Sequence, residues 1–203
     1  MRLVRSFDKV GLIKQSWELV KKNARLIALL MVAFVGYQVI QGVVQGFFKY
    51  SALSVIVSLA FTVLTLFFEI GFLKIVLKLV DSQKADINEL WAYPQYLLRM
   101  IGASIIYGLI VVAGFILLVV PGIYLALRLQ FYSYYIIDKD AGAIDSLRMS
   151  WKATEGNVIN IFLFELLLIG INILGAIALI VGLLVTIPVT FVAVTYLFRK
   201  LSA

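Results

Sequence analysis

Long apolar runs separated by short clusters of charge dominate the chain. A hydrocarbon core of about 30 Å needs roughly 20 apolar residues in a helix. Six stretches meet or approach that length: 26–48, 52–79, 99–120, 122–137, 159–181 and 183–198. Lys22–Arg25 and Lys49 bound the first, and Lys74 and Lys78 sit near the inner end of the second, where long side chains snorkel to the head groups. Pro121-Gly122 is expected to separate the third span from the fourth, and Gly182 the fifth from the sixth, with Pro188 inside the last. The pattern predicts an all-α membrane protein, a six-helix transmembrane bundle.

The placement of Lys and Arg orients it. Seven lie in residues 1–25, four between Lys74 and Arg99, three between Lys139 and Lys152, and two at Arg199-Lys200. Only Lys49 falls on the opposite side, and Arg128 lies inside a span. Cytoplasmic loops carry such an excess, so both termini and the two longer loops are expected to face the cytoplasm of a bacterial inner membrane. A cleaved signal peptide is not expected, because the first apolar run is long enough to span and no small-x-small site follows closely.

Composition agrees. Apolar residues make up 63% of the 203, and charged residues 14%, a balance no soluble surface accommodates. The absence of cysteine and histidine removes disulfides, thiolate chemistry, the commonest metal ligands and the usual neutral-pH general base. The net charge of +7 is read as orientation and attraction to anionic lipid rather than as a nucleic-acid footprint.

Between the spans one pattern recurs. Ile13-Lys14-Gln15-Ser16-Trp17, with Asn23 six residues on, matches Leu147-Arg148-Met149-Ser150-Trp151 with Asn157 six on. Val10, Ile13, Trp17 and Val20 share one helical face, and Ile144, Leu147 and Trp151 repeat it. Both segments, about 8–22 and 141–154, are therefore expected to be amphipathic helices lying in the cytoplasmic interface, with Trp at head-group depth. Residues 86–99, with Trp91, Tyr93 and Tyr96, form a degenerate middle member. The implied unit is an interfacial helix followed by a helical hairpin.

The stretch Pro121-Gly122-Ile123, Arg128, Ile136-Ile137-Asp138, Ala143-Ile144-Asp145-Ser146-Leu147, Ser150-Trp151, Thr154 and Gly156-Asn157 resembles a group of bacterial membrane families. Among them are the membrane-anchor domain of some glycerophosphodiester phosphodiesterases and several uncharacterised integral-membrane families. Gly182, Ile187-Pro188, Tyr196-Leu197 and Arg199 are similar to their last span. The resemblance implies a helical bundle in the inner membrane. It brings no catalytic residues, since the chain has no phosphodiesterase domain.

Polar residues inside the spans are the candidate chemistry. Ser51, Ser54, Ser58, Thr62, Thr65 and Glu69 are spaced to share one face of the second span. They read either as a polar lining or as a close-packing seam. Gln38, Gln41 and Gln45 of the first span are expected to look inward and bond to those hydroxyls. Glu69, Arg128 and Glu165 fall at overlapping depths, and charges at that depth usually pair or face a cavity. Arg128 is therefore expected to bridge Glu165, with Glu69 as second neighbour, as a functional site or as a pin on helix register.

These features predict a non-enzymatic inner-membrane module, an anchor, scaffold or lipid-organising protein held by Trp17, Trp91 and Trp151. The alternative is a small-solute, ion or lipid transporter using the polar stripe and the Glu–Arg–Glu cluster. An enzyme would have to work with carboxylates and an arginine alone. No cofactor or metal is expected, and the expected partners are anionic lipids and a protein partner or second copy.

Overall fold

The computed structural model describes residues 7–49, 52–177 and 182–202, and every regular element among them is helical. Ser51 and the outer end of the fifth expected span, 178–181, lie outside the described residues. The elements are α1 (Lys9–Lys22), α2 (Ala24–Phe48), α3 (Ser54–Val80), two 3-10 turns (Ile87–Trp91 and Pro94–Tyr96), α4 (Leu97–Leu117), α5 (Val119–Leu129), α6 (Tyr132–Lys139), α7 (Ala143–Ala153), α8 (Val158–Ile177) and α9 (Leu183–Ser202). Five helices are long and apolar enough to cross a membrane: α2, α3, α4 together with the turns before it, α8 and α9.

The stretch 122–137 departs from expectation, because it is not one helix. The break falls at Gln130-Phe131 and leaves α5 and α6 as separate pieces. Side chains of α7 occupy the backbone groups that a break sets free. Ser150 Oγ accepts from the Phe131 N–H at 3.1 Å and donates to the Arg128 carbonyl at 2.9 Å. Thr154 Oγ1 donates to that same carbonyl at 3.1 Å. Both hydroxyl residues are fully buried. The third expected span also stops early. Leu118 is extended, and Pro121 falls in the first turn of α5, where its missing N–H costs little.

Asp8 starts α1 by accepting from the Gly11 N–H at 2.9 Å, and Asn23 ends it by donating to the Leu19 carbonyl. The face of α1 packed on protein is Leu12, Ser16 and Val20, while Val10 and Trp17 point outward. This corrects the expected grouping of Val10, Ile13, Trp17 and Val20: the protein core takes up Leu12 and Val20 and leaves Val10 and Trp17 exposed. In α7 the register is the same, with Ser146, Ser150 and Thr154 buried and Ile144 and Trp151 exposed. Within the expected middle member, residues 86–99, the 3-10 turn Ile87–Trp91 has Leu90 buried and Trp91 exposed.

Each short element leans on the last helix of a hairpin: α1 on α9, the Ile87–Trp91 turn on α3, and α7 on α6. Gly71 permits the second contact, because a Cβ there would overlap the Leu90 backbone carbonyl. The centre is filled by Phe198, whose ring lies 5.9, 4.9 and 5.1 Å from those of Phe131, Tyr134 and Tyr135. Ile70, Leu77 and Phe164 complete it.

Candidate functional site

The halves of α2 and α3 next to the turn that joins them are mostly exposed, and the polar stripe lies there. Gln38, Ser58 and Thr62 are exposed, and Gln41, Gln45, Ser54 and Thr65 are half-buried. Near the turn of this hairpin, Gln45, Ser54, Ser58 and Lys49 line a cavity of about 390 Å³. Among the described residues, the expected bonding of glutamines to hydroxyls is not what forms. Thr62 and Thr65 donate instead to the carbonyls of Ser58 and Phe61 on their own helix, at 2.9 and 2.8 Å. A hydroxyl four residues after a carbonyl reaches it at only a slight cost to the helix, whereas a cross-helix glutamine must give up several rotamers. The cross-helix partner is Tyr37, unremarked in the sequence, whose hydroxyl donates to the Phe61 carbonyl at 2.7 Å and lies 2.7 Å from Thr65 Oγ1.

Glu69, one turn further in, is exposed rather than inward-facing. It lines a cavity of about 240 Å³ between α2, α3 and α9, whose other walls include Phe34, Tyr37, Thr65, Phe72 and Phe191. No hydrogen bond or ion pair joins Glu69 to a described residue.

Arg128 does not bridge the glutamates. Its guanidinium carbon lies 4.1 Å from the centroid of the Trp151 ring and 5.8 Å from that of Tyr124. The side chain is 4% exposed, its Nε has no hydrogen-bond partner, and no ion pair involves it among the described residues. Counting depth back from Asp138 presumes one straight helix. The break ends α5 at Leu129 beside α7, so the guanidinium meets the aromatic ring there instead. Glu165 is half-buried with Oε1 unpartnered. The three charges are thus not one cluster.

Ion pairs among the described residues gather at the opposite end from the α2–α3 turn. Arg199, in the last turns of α9, holds Asp81 through Nε and Nη2 at 2.9 and 2.5 Å. It also holds Asp138 through Nη1 and Nη2, both at 2.7 Å. Burial pushes the Asp138 carboxyl up, but the Arg199 hydrogen bonds and charge, with help from Lys139, outweigh that and hold it below the ordinary carboxylate range. Nearby, Lys78 pairs with Glu89 at 2.5 Å, and the Tyr93 hydroxyl donates to the same carboxylate at 2.8 Å. A signal for the Arg199 cluster exists in the sequence: Leu79-Val80-Asp81, Ile136-Ile137-Asp138 and Leu197-Phe198-Arg199 each close a hairpin with two apolar residues and a charge.

Of the three tryptophans expected to anchor the chain, Trp17 and Trp151 each sit beside a cation. Trp17 and Trp151 are 42% and 38% exposed, a matched pair, and Trp91 is 52% exposed. Lys21 Nζ lies 5.5 Å from the Trp17 ring centroid. Lys14, Lys21, Lys22, Arg148 and Lys152 are exposed around them.

No solved structure matches the chain. An uncharacterised protein of Mycobacterium tuberculosis strain H37Rv, Rv2560, is 31% identical over 108 residues, 51% of this chain and 33% of the relative. The uncharacterised protein Mb2590 of Mycobacterium bovis matches to the same extent. The match therefore takes in about a third of the length of these relatives. The comparisons give uncharacterised relatives and a family of unknown function; a glycerophosphodiester phosphodiesterase anchor domain is not among what they show. Residues 51–200, most of the chain, match the family model described as a domain of unknown function, DUF7847, and the protein belongs to that family.

Proposed function

We propose that this protein is a non-enzymatic inner-membrane module of six crossings, with both termini cytoplasmic, that grips the anionic cytoplasmic leaflet. The observation that carries the reading is the matched pair of short helices: Val10 with Trp17, and Ile144 with Trp151, face outward among exposed cations. Apolar side chains flanked by Lys and Arg insert at head-group depth and draw anionic lipid.

Parity supports the crossing count. Arg199 ties the ends of α3, α6 and α9 together, and α1 lies along α9, so the chain returns to one end after each hairpin. Five long helices need a sixth crossing for that, and the expected fourth span, 122–137, now the broken pair α5–α6, supplies it. The excess of Lys and Arg at that end makes it cytoplasmic, and the mycobacterial relatives make a bacterial membrane the natural setting. The transporter reading has less support, because Arg128 is engaged by Trp151 and Phe131, Phe164 and Phe198 fill the centre.

The test uses the full chain reconstituted in bilayers with spin-labelled lipids. Phosphatidylglycerol is expected to show a larger motionally restricted fraction than phosphatidylcholine. The excess should shrink at high salt, which screens exposed charge, and in the Lys14→Gln, Lys21→Gln, Lys22→Gln triple variant. Equal association of the two lipids overturns the leaflet-gripping role. Separately, cysteines at Ser82 and Glu155, both exposed, should resist an impermeant maleimide added outside intact cells, and labelling of either overturns the topology.

A further inference from the structure

We infer that the cavity at Glu69 is a binding site for a small lipophilic cation, such as an aryl quaternary ammonium. The inference goes beyond the module reading and does not rest on it.

Three observations converge. The first is an unneutralised acid at mid-span. Glu69 lies twelve residues before Asp81, about 18 Å along α3 at 1.5 Å per residue. An acid at that depth needs a counter-charge, a proton or a cavity. The cations near enough in sequence or depth to serve are engaged elsewhere. Lys74 Nζ donates to the Ile137 carbonyl at 3.1 Å and lies 5.9 Å from the Tyr93 ring. Arg128 lies on Trp151.

The second is the wall. The cavity is rimmed by Phe34, Tyr37, Phe68, Phe72 and Phe191. These rings support one another, with Phe68 lying 5.4 Å from Phe34 and 6.3 Å from Phe72, and Phe72 lying 5.1 Å from Phe191 in an edge-to-face contact. Aromatic faces within about 6 Å of a cation attract it through the ring quadrupole, most strongly where water is excluded. Rings together with one carboxylate favour a weakly hydrated organic cation over a metal ion, which needs several oxygen ligands.

The third is the apolar surroundings. Met31, on the cavity wall, also lines an apolar groove of about 610 Å³ between α2 and α9, beside Ile27, Val35 and Leu184. A ligand arriving through lipid with an aryl or alkyl body finds an apolar approach, and its charge is met at Glu69.

The probe is radiolabelled benzyltrimethylammonium, with the full chain in nanodiscs and empty nanodiscs as background. Saturable binding is expected, displaced by the unlabelled cation but not by neopentylbenzene, which has the same shape without the charge. Glu69→Gln should weaken binding about tenfold or more, Glu69→Asp less, and Phe72→Leu a few-fold. Glu165→Gln should leave it unchanged. Circular dichroism and size-exclusion profiles matching the unaltered protein confirm that each variant is folded. Because the neutral isostere is tested on the unaltered chain, the result does not hang on any variant. No saturable binding, equal displacement by neopentylbenzene, or undiminished binding to folded Glu69→Gln overturns the site.

Discussion

Replacing Arg199 with methionine removes four charge-assisted hydrogen bonds and leaves Asp138 with Lys139 as its remaining cation, at 3.2 Å. The side chains of Arg199, Asp81 and Asp138 are 24, 33 and 14% exposed, so the cluster sits between two regimes. Exposed pairs contribute about 0–1 kcal/mol, and breaking a fully buried pair costs about 3–5 kcal/mol. A coupling of about 1–2 kcal/mol per aspartate follows, with Asp138, the less exposed, at the upper end. Arg199→Met should therefore destabilise by about 2–4 kcal/mol, the two couplings taken together. The assay is reversible unfolding of the full chain in mixed micelles by a rising fraction of sodium dodecyl sulfate, followed by circular dichroism, in a double-mutant cycle with Asp81→Asn and Asp138→Asn. The triple variant should recover most of the loss. The pH dependence carries its own sign. A carboxyl depressed in the folded state contributes stability that is full above its ordinary value of about 4, and that fades as pH falls through the depressed value. The unaltered protein should lose stability on that acid limb, and Asp138→Asn should lack that portion of the loss. Coupling of Arg199 to both aspartates below about 0.3 kcal/mol would refute the reasoning.

Two further outcomes are expected in the same unfolding assay. Ser150→Ala strands the Phe131 N–H and weakens the hold on the Arg128 carbonyl, and should cost about 1–3 kcal/mol; Ser16→Ala, whose hydroxyl only bonds back to the Leu12 carbonyl, should cost less, and equal losses would contradict the role of Ser150 at the break. Gly71→Val sets side-chain atoms against the Leu90 backbone and should destabilise by about 1–3 kcal/mol, whereas the same change at Gly108, which has open space, should be far milder; no difference between the two would mean that the Ile87–Trp91 turn does not pack on α3.

The sequence by itself determined the membrane class, the positions of the long helices and the ends at which charge collects. Hydropathy and Lys/Arg asymmetry are local one-dimensional signals, and bilayer thickness converts them directly into segments. The Ser-Trp repeat was legible too, since its period survives in both α1 and α7. What each member of the repeat does was left to tertiary structure. Ser16 bonds to its own helix while Ser150 fills the break between α5 and α6, a difference set by what lies opposite. The partner of Arg128 also escaped the sequence, because depth counting presumes an unbroken helix and Gln130-Phe131 carries no proline or glycine to announce a break. Glu69 shared a helical face with five hydroxyl residues, but that periodicity gives only an angle about the axis. Whether the face meets protein, cavity or lipid depends on where α2 and α9 stand, and only the packing of the whole bundle decides that.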